Sequence, residues 1–201
     1  IEDVTASTAL AAGSDLYAIK ITAASGRDIG LYKLTFKIAT TGATVGGFQL
    51  FGPGGAVNAT AVTPIDKLVA GAALDAVEIV FDNNAADRLV PAGTSKTYRL
   101  RASTVDGLTS NNVESLNVNL ASDTTYPSLV GNLGKAGAGG VDGSTQWDTA
   151  SGTENIIWTP FSTTTPTAAN TADGNNDWTN GYGAAGFPGV GQDFQTRVFS
   201  H

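Results

Sequence analysis

The sequence predicts an all-β fold, an antiparallel β-sandwich of the Ig-like or jelly-roll-like kind, on three observations. Short runs alternate apolar with polar residues, clusters of Gly, Pro, Asn and Asp punctuate them, and only 14% of the 201 residues are charged. Alternation with a period of two gives a strand with one dry and one wet face. Several such strands joined by turn signals bury their dry faces against each other as two sheets. A hydrophobic content of 41% suffices for one sizeable core.

Residues 1–14 are small, rich in Thr, Ala and Val, and weakly alternating, which reads as an N-terminal arm without the bulk to fold alone. Residues 15–201 read as a single elaborated sandwich domain. In "DLYAIKITAA", Tyr17, Ile19 and Ile21 share one face; in "DIGLYKLTFKIAT", Tyr32, Leu34, Phe36 and Ile38 alternate with Lys33, Thr35 and Lys37. With "SGRD" between them, the two runs predict a hairpin over about 15–40. "GGFQLFG" is a short strand, and "AVEIVFDN" sets Val77, Ile79 and Phe81 opposite Glu78 and Asp82. "KTYRLRAST" sets Tyr98, Leu100 and Ala102 opposite Arg99 and Arg101, and "ESLNVNLAS" sets Leu116, Val118 and Leu120 against Asn117 and Asn119. Between these runs lie "FGPGG", "DNNAAD", "VPAGTS" and "VDGLTSNN", each built from turn-forming residues. Only 64–77 has the Ala and Leu content for a turn or two of helix. Beyond about residue 122 Gly, Thr, Asn and Ser dominate as long loops, and "ENIIWTPF" and "QDFQTRVFS" are expected to return as strands to the same sheet pair.

Composition removes whole classes of function. The net charge is −7, and residues 101–201 hold three basic against nine acidic side chains, so no basic stripe offers itself to nucleic acid. Cysteine and methionine are absent, which excludes disulfides, thiolate nucleophiles and sulfur-ligated metals. No run is apolar for about eighteen residues, so no transmembrane helix is predicted. The chain opens on Ile1, which fits removal of a secretion signal and an extracellular location at the cell surface.

The chemistry-bearing residues are few. His201 is the only histidine, so triads and His-ligated metals have nothing to be built from. Glycoside hydrolysis needs two opposed carboxyl groups; among Glu2, Glu78, Glu114 and Glu154 no pair stands out, and Glu78 falls on a polar face. A non-enzymatic protein without a cofactor is the expectation. In "DGNNDWTNGYG", Asp173, Asn175 and Asp177 alternate as oxygen donors that can wrap Ca²⁺, although the EF-hand Gly and distal Glu are missing and an Asx-rich turn explains the spacing as well. Trp178 and Tyr182, with Trp147 or Trp158, are candidate glycan contacts. Asn58 in "NAT" fits the N-glycosylation pattern, and "STTTPT" has the composition of O-glycosylated segments. A covalent Lys–Asn crosslink needs a buried Lys beside an acid, whereas Lys33 and Lys37 are expected on wet faces.

The runs "LYKLTFKIATTGATVGGFQLF", "LVPAGTSKTYRLRAST", "IIWTPFSTTTPT" and "DWTNGY" resemble a group of poorly characterised secreted surface proteins of genome-reduced, ultrasmall bacteria, over about residues 15–183. The resemblance implies an exported β-sandwich in a pilus-like or surface array and carries no catalytic residues. Where that group has a Leu-rich tail, residues 183–191 here are Gly-rich.

The residues themselves favour assembly. An arm such as 1–14 can supply backbone hydrogen bonds to an open sheet edge, with Ile1, Val4, Thr5, Ala6, Thr8 and Leu10 at the interface. Pairing with another copy, head to tail, propagates as a filament; pairing within its own sheet is the competing outcome. The expected function is therefore an extracellular structural subunit that self-assembles as a homo-oligomer, and the alternative is a carbohydrate-binding or adhesin module.

Overall fold

The structure is a computed structural model that describes residues 1–6, 11–26, 28–62, 75–81, 86–106, 114–121, 155–159 and 194–200. Twelve strands run through them: β1 (Glu2–Asp3), β2 (Asp15–Thr22), β3 (Ile29–Thr41), β4 (Thr44–Gly52), β5 (Gly55–Ala56), β6 (Ala59–Val62), β7 (Ala76–Phe81), β8 (Leu89–Val90), β9 (Ser95–Asp106), β10 (Ser115–Leu120), β11 (Ile156–Thr159) and β12 (Arg197–Ser200). One sheet has five strands in the order β1-β2-β9-β4-β5; the other has seven, in the order β12-β10-β3-β7-β6, with β8 and β11 also paired to β3. Every pairing is antiparallel. The all-β sandwich predicted from alternation is the fold, and a 3-10 turn at Ala86–Arg88 is the one helical piece among the described residues.

The inward faces are those the alternation marks. Tyr17, Ile19 and Ile21 of β2, Tyr98 and Leu100 of β9, Leu34 and Phe36 of β3, and Ile79 and Phe81 of β7 are buried in one core. Two edge-on aromatic pairs stitch the sheets together: Tyr17 meets Phe36 at 6.1 Å between ring centres, and Phe81 meets Tyr98 at 5.9 Å. Such pairs add about 1 kcal/mol each beyond the area they bury. The Tyr17–Phe36 contact also corrects the expected hairpin: β2 pairs with β1 and β9, β3 with strands of the other sheet, and their apolar faces oppose each other across the core. The turn at Ser25–Gly26 reverses the chain but carries it from one sheet to the other.

β4 contains a left-handed residue that alternation does not show. Gly46 pairs with Thr104 and Phe48 with Ala102, so the register runs one-to-one and sets Gly47 opposite Ser103. Gly47 has φ +62°, and a Cβ there would collide with Ser103 Oγ. Glycine is required on both counts.

β3 is the spine of the seven-stranded sheet. On one edge it pairs with β10 over Phe36–Thr41 and then β11 over Gly30–Leu34; on the other it pairs with β7 over Lys33–Lys37 and then β8 over Ile29–Gly30. "ENIIWTPF" and "QDFQTRVFS" do supply strands, β11 and β12, to this sheet, so residues from both halves of the chain share it. The stretch 64–77 lies mostly outside the described residues, and its last two positions, Ala76 and Val77, open β7.

The outer face of the seven-stranded sheet is not the wet face expected. Lys33, Thr35 and Glu78 are 0% exposed. Alternation tells which side chains share a face; it does not tell whether a second layer covers that face. The five-stranded sheet keeps the expected wet side, where Arg99 and Arg101 are 40% and 35% exposed and both reach Asp15, at 3.3 and 2.6 Å.

Candidate functional site

Two features stand out, and the first is the flank where the terminal strands meet. β1 lies on the outer edge of β2, with Glu2 opposite Lys20 and Asp3 opposite Ile19. The ladder continues as Val4 N donates to Ala18 O at 2.9 Å, and the Ala18 N–H then bonds the Thr5 hydroxyl at 2.8 Å. Asp3 Oδ1 accepts from Thr5 N at 2.8 Å, an Asx turn that ends the strand. A surface ion pair of Glu2 with Lys20 at 3.5 Å adds little.

β12 is the matching edge of the other sheet, paired with β10 from Ser115↔Ser200 to Val118↔Arg197. Arg197 clasps the two edges, its Nε and Nη2 at 2.9 and 2.8 Å from Asp3 Oδ2. Tyr17 joins the clasp by donating its hydroxyl to Gln195 O at 2.8 Å. Burial, with the negative charge of Asp3 second, pushes the Tyr17 phenol well above its ordinary value; a phenol so placed stays protonated and keeps donating. Val4 at 41% and Val198 at 65% exposure are the exposed large apolar side chains of the described residues, and both sit on this flank.

Of the predicted interface residues, Ile1 is half-buried against the core, Val4 is exposed, Thr5 is half-buried and bonded to Ala18, and Ala6 is exposed. Thr8 and Leu10 lie outside the described residues. In the single chain, residues 2–5 therefore dock on their own β2.

The second feature is the buried pair of Lys33 and Glu78, Nζ to Oε1 2.9 Å with both side chains fully buried. Lys33 is opposite Val80 and Glu78 opposite Thr35, so the two are diagonal neighbours on one face. On the other edge of β3, Ile156 pairs with Leu34 and Ile157 with Lys33. The position just before them is Asn155, itself buried at 8% exposure. Lys33 thus stands between a carboxylate on β7 and a carboxamide at the start of β11. The sequence shows the three residue types, but 45 positions separate Lys33 from Glu78, and only the register brings them together.

The remaining candidates are scattered. Asn58 is exposed at a bend between β5 and β6, where a glycan has room. Trp158 is in the core at 9% exposure and is not available as a sugar platform. Asp173, Asn175, Asp177, Trp178 and Tyr182 lie outside the described residues, as do Trp147, Glu154, His201 and "STTTPT". Among the described residues no group of three or more His, Asp or Glu side chains could hold a metal, and no helix is long and apolar enough to cross a membrane.

Fold and site together define an antiparallel β-sandwich with two short terminal edge strands. No protein-family model matches the chain, and no curated protein matches it.

Proposed function

We propose that the protein is a non-enzymatic, extracellular structural subunit that self-assembles into a pilus-like filament or surface array through the flank built by β1 and β12. The observation that carries this reading is the position of Val4 and Val198, the exposed large apolar side chains of the described residues: Val198 lies on the edge strand β12, and Val4 directly follows the edge strand β1. Edge strands recruit further strands unless they are covered or charged. β1 pairs through two residues only, so its main-chain bonds to Ala18 and Lys20 can be remade on the β2 of a second copy with the same geometry. Each exchange frees another arm, and the contact propagates without closing.

Electron microscopy and sedimentation of the full chain test the reading. Fibres or sheets of regular repeat are expected, and a variant lacking residues 1–5, or carrying Val198→Lys, is expected to stay folded and monomeric. A full chain that remains monomeric at high concentration and high salt would remove the proposal.

A further inference from the structure

We propose that Lys33 and Asn155 become joined by an intramolecular amide bond, with Glu78 moving the protons. Three observations converge on it. Lys33 and Glu78 form an ion pair that no water reaches. Separated charges lose most of their solvation in such a place, and the neutral pair of amine and carboxylic acid is one proton shift away along the 2.9 Å contact. The nucleophile so produced is a primary amine held rigidly on a central strand, and the group within its reach is the buried carboxamide of Asn155.

The register selects Asn155 over Asn119, the other buried carboxamide among the described residues. Asn119 lies opposite Lys37, four positions along β3 from Lys33 and about 13 Å away at the rise of a strand. Asn155 directly precedes Ile156 and Ile157, which pair with Leu34 and Lys33, so it is a diagonal neighbour of Lys33 as Glu78 is on the opposite edge. Diagonal neighbours in a sheet are about 7–8 Å apart, a span the four-carbon Lys stem covers.

The step balances without an oxidant or activating group. Glu78 takes one proton from Lys33, the free Nζ attacks Asn155 Cγ, and the Glu78 carboxyl hydrogen-bonds the oxygen of the tetrahedral intermediate. The second Nζ proton passes by way of Glu78 to Asn155 Nδ2. The Cγ–Nδ2 bond breaks and ammonia leaves; the Nζ–Cγ amide remains, and Glu78 retains the first proton. Burial favours the outcome, because a buried cation is replaced by a neutral amide and no water competes for Cγ. The bond ties the spine of the seven-stranded sheet to a strand supplied by the distant half of the chain.

The test is the intact mass of the folded full chain, followed by fragmentation of its proteolytic peptides. The expected result is a mass below the sequence mass by one ammonia and a branched peptide joining the segments around Lys33 and Asn155. Asn155→Ala is expected at its full sequence mass. Glu78→Gln is expected to fold with little or no bond formed, and Glu78→Asp, which keeps the carboxyl one methylene short, to form it more slowly. A folded wild-type chain of full mass overturns the proposal. So does loss of ammonia with only linear peptides, which is a succinimide elsewhere, or loss of water with a Lys33–Glu78 branch. Bond formation undiminished in both Glu78 variants overturns the role given to Glu78.

Discussion

At Gly47 a single hydrogen atom in place of a methyl group decides whether β4 can lie against Ser103 of β9. Gly47→Ala forces both a left-handed backbone and a collision, and should cost about 1–3 kcal/mol in chemical denaturation; Gly46→Ala, where nothing lies within 4 Å of a Cβ, should cost less. Tyr17 and Tyr98 set a pH limit. Both phenols are raised above their ordinary value of 10.0, each mainly by burial and secondly by a nearby carboxylate, Asp3 for Tyr17 and Asp87 for Tyr98. The unfolded chain therefore releases these protons before the folded one does, so their contribution is complete below pH 10 and declines above it. Spectrophotometric titration should show two phenols ionising only as the fold is lost. In an Asn155→Ala background, where no amide can form and the ion pair persists, Lys33→Met removes the Lys33 cation from beside Glu78 and should cost about 3–5 kcal/mol, whereas Lys33→Met combined with Glu78→Leu should recover most of that.

At the scale of elements, β1 is the weakest join, because one hydroxyl replaces a main-chain acceptor at its end. Thr5→Val removes the bond to Ala18 N and should cost about 1 kcal/mol locally, read as roughly fivefold faster amide exchange at Val4 and Ala18. Exchange in β9, which is paired on both edges, should not change. The same contrast explains which elements are legible in the sequence. β3, β9 and β10 are long enough to show their alternation, and each lies where it predicts. β1, β5 and β8 are two residues each and borrow their conformation from a neighbour, so no local pattern marks them. The hairpin over 15–40 misleads because a turn signal reports a reversal of direction and not the identity of the partner strand. The Lys33–Glu78 pair escapes notice for a related reason: each residue sits on the polar phase of its own strand, and polar phase ordinarily means water.

For the whole molecule, the net charge of −7 opposes association while the apolar flank favours it. Raising salt from roughly 0.01 M to roughly 0.5 M shortens the Debye length from about 30 Å to a few ångströms and should lower the concentration at which fibres appear, as followed by light scattering. An amide bond between Lys33 and Asn155 would close a loop of more than about 100 residues, which by analogy with a disulfide is worth about 4–5 kcal/mol and, for a domain of this size, roughly 10 °C or more in Tm between the wild type and Asn155→Ala. The course of β3 has a further consequence. Its four partners among the described residues are drawn from positions 76–81, 89–90, 115–120 and 156–159, so the last of these comes far along the chain from the spine itself. A nascent chain threading through a narrow pore from its amino end would stay pliable until the far segment emerged, then lock shut from the inside.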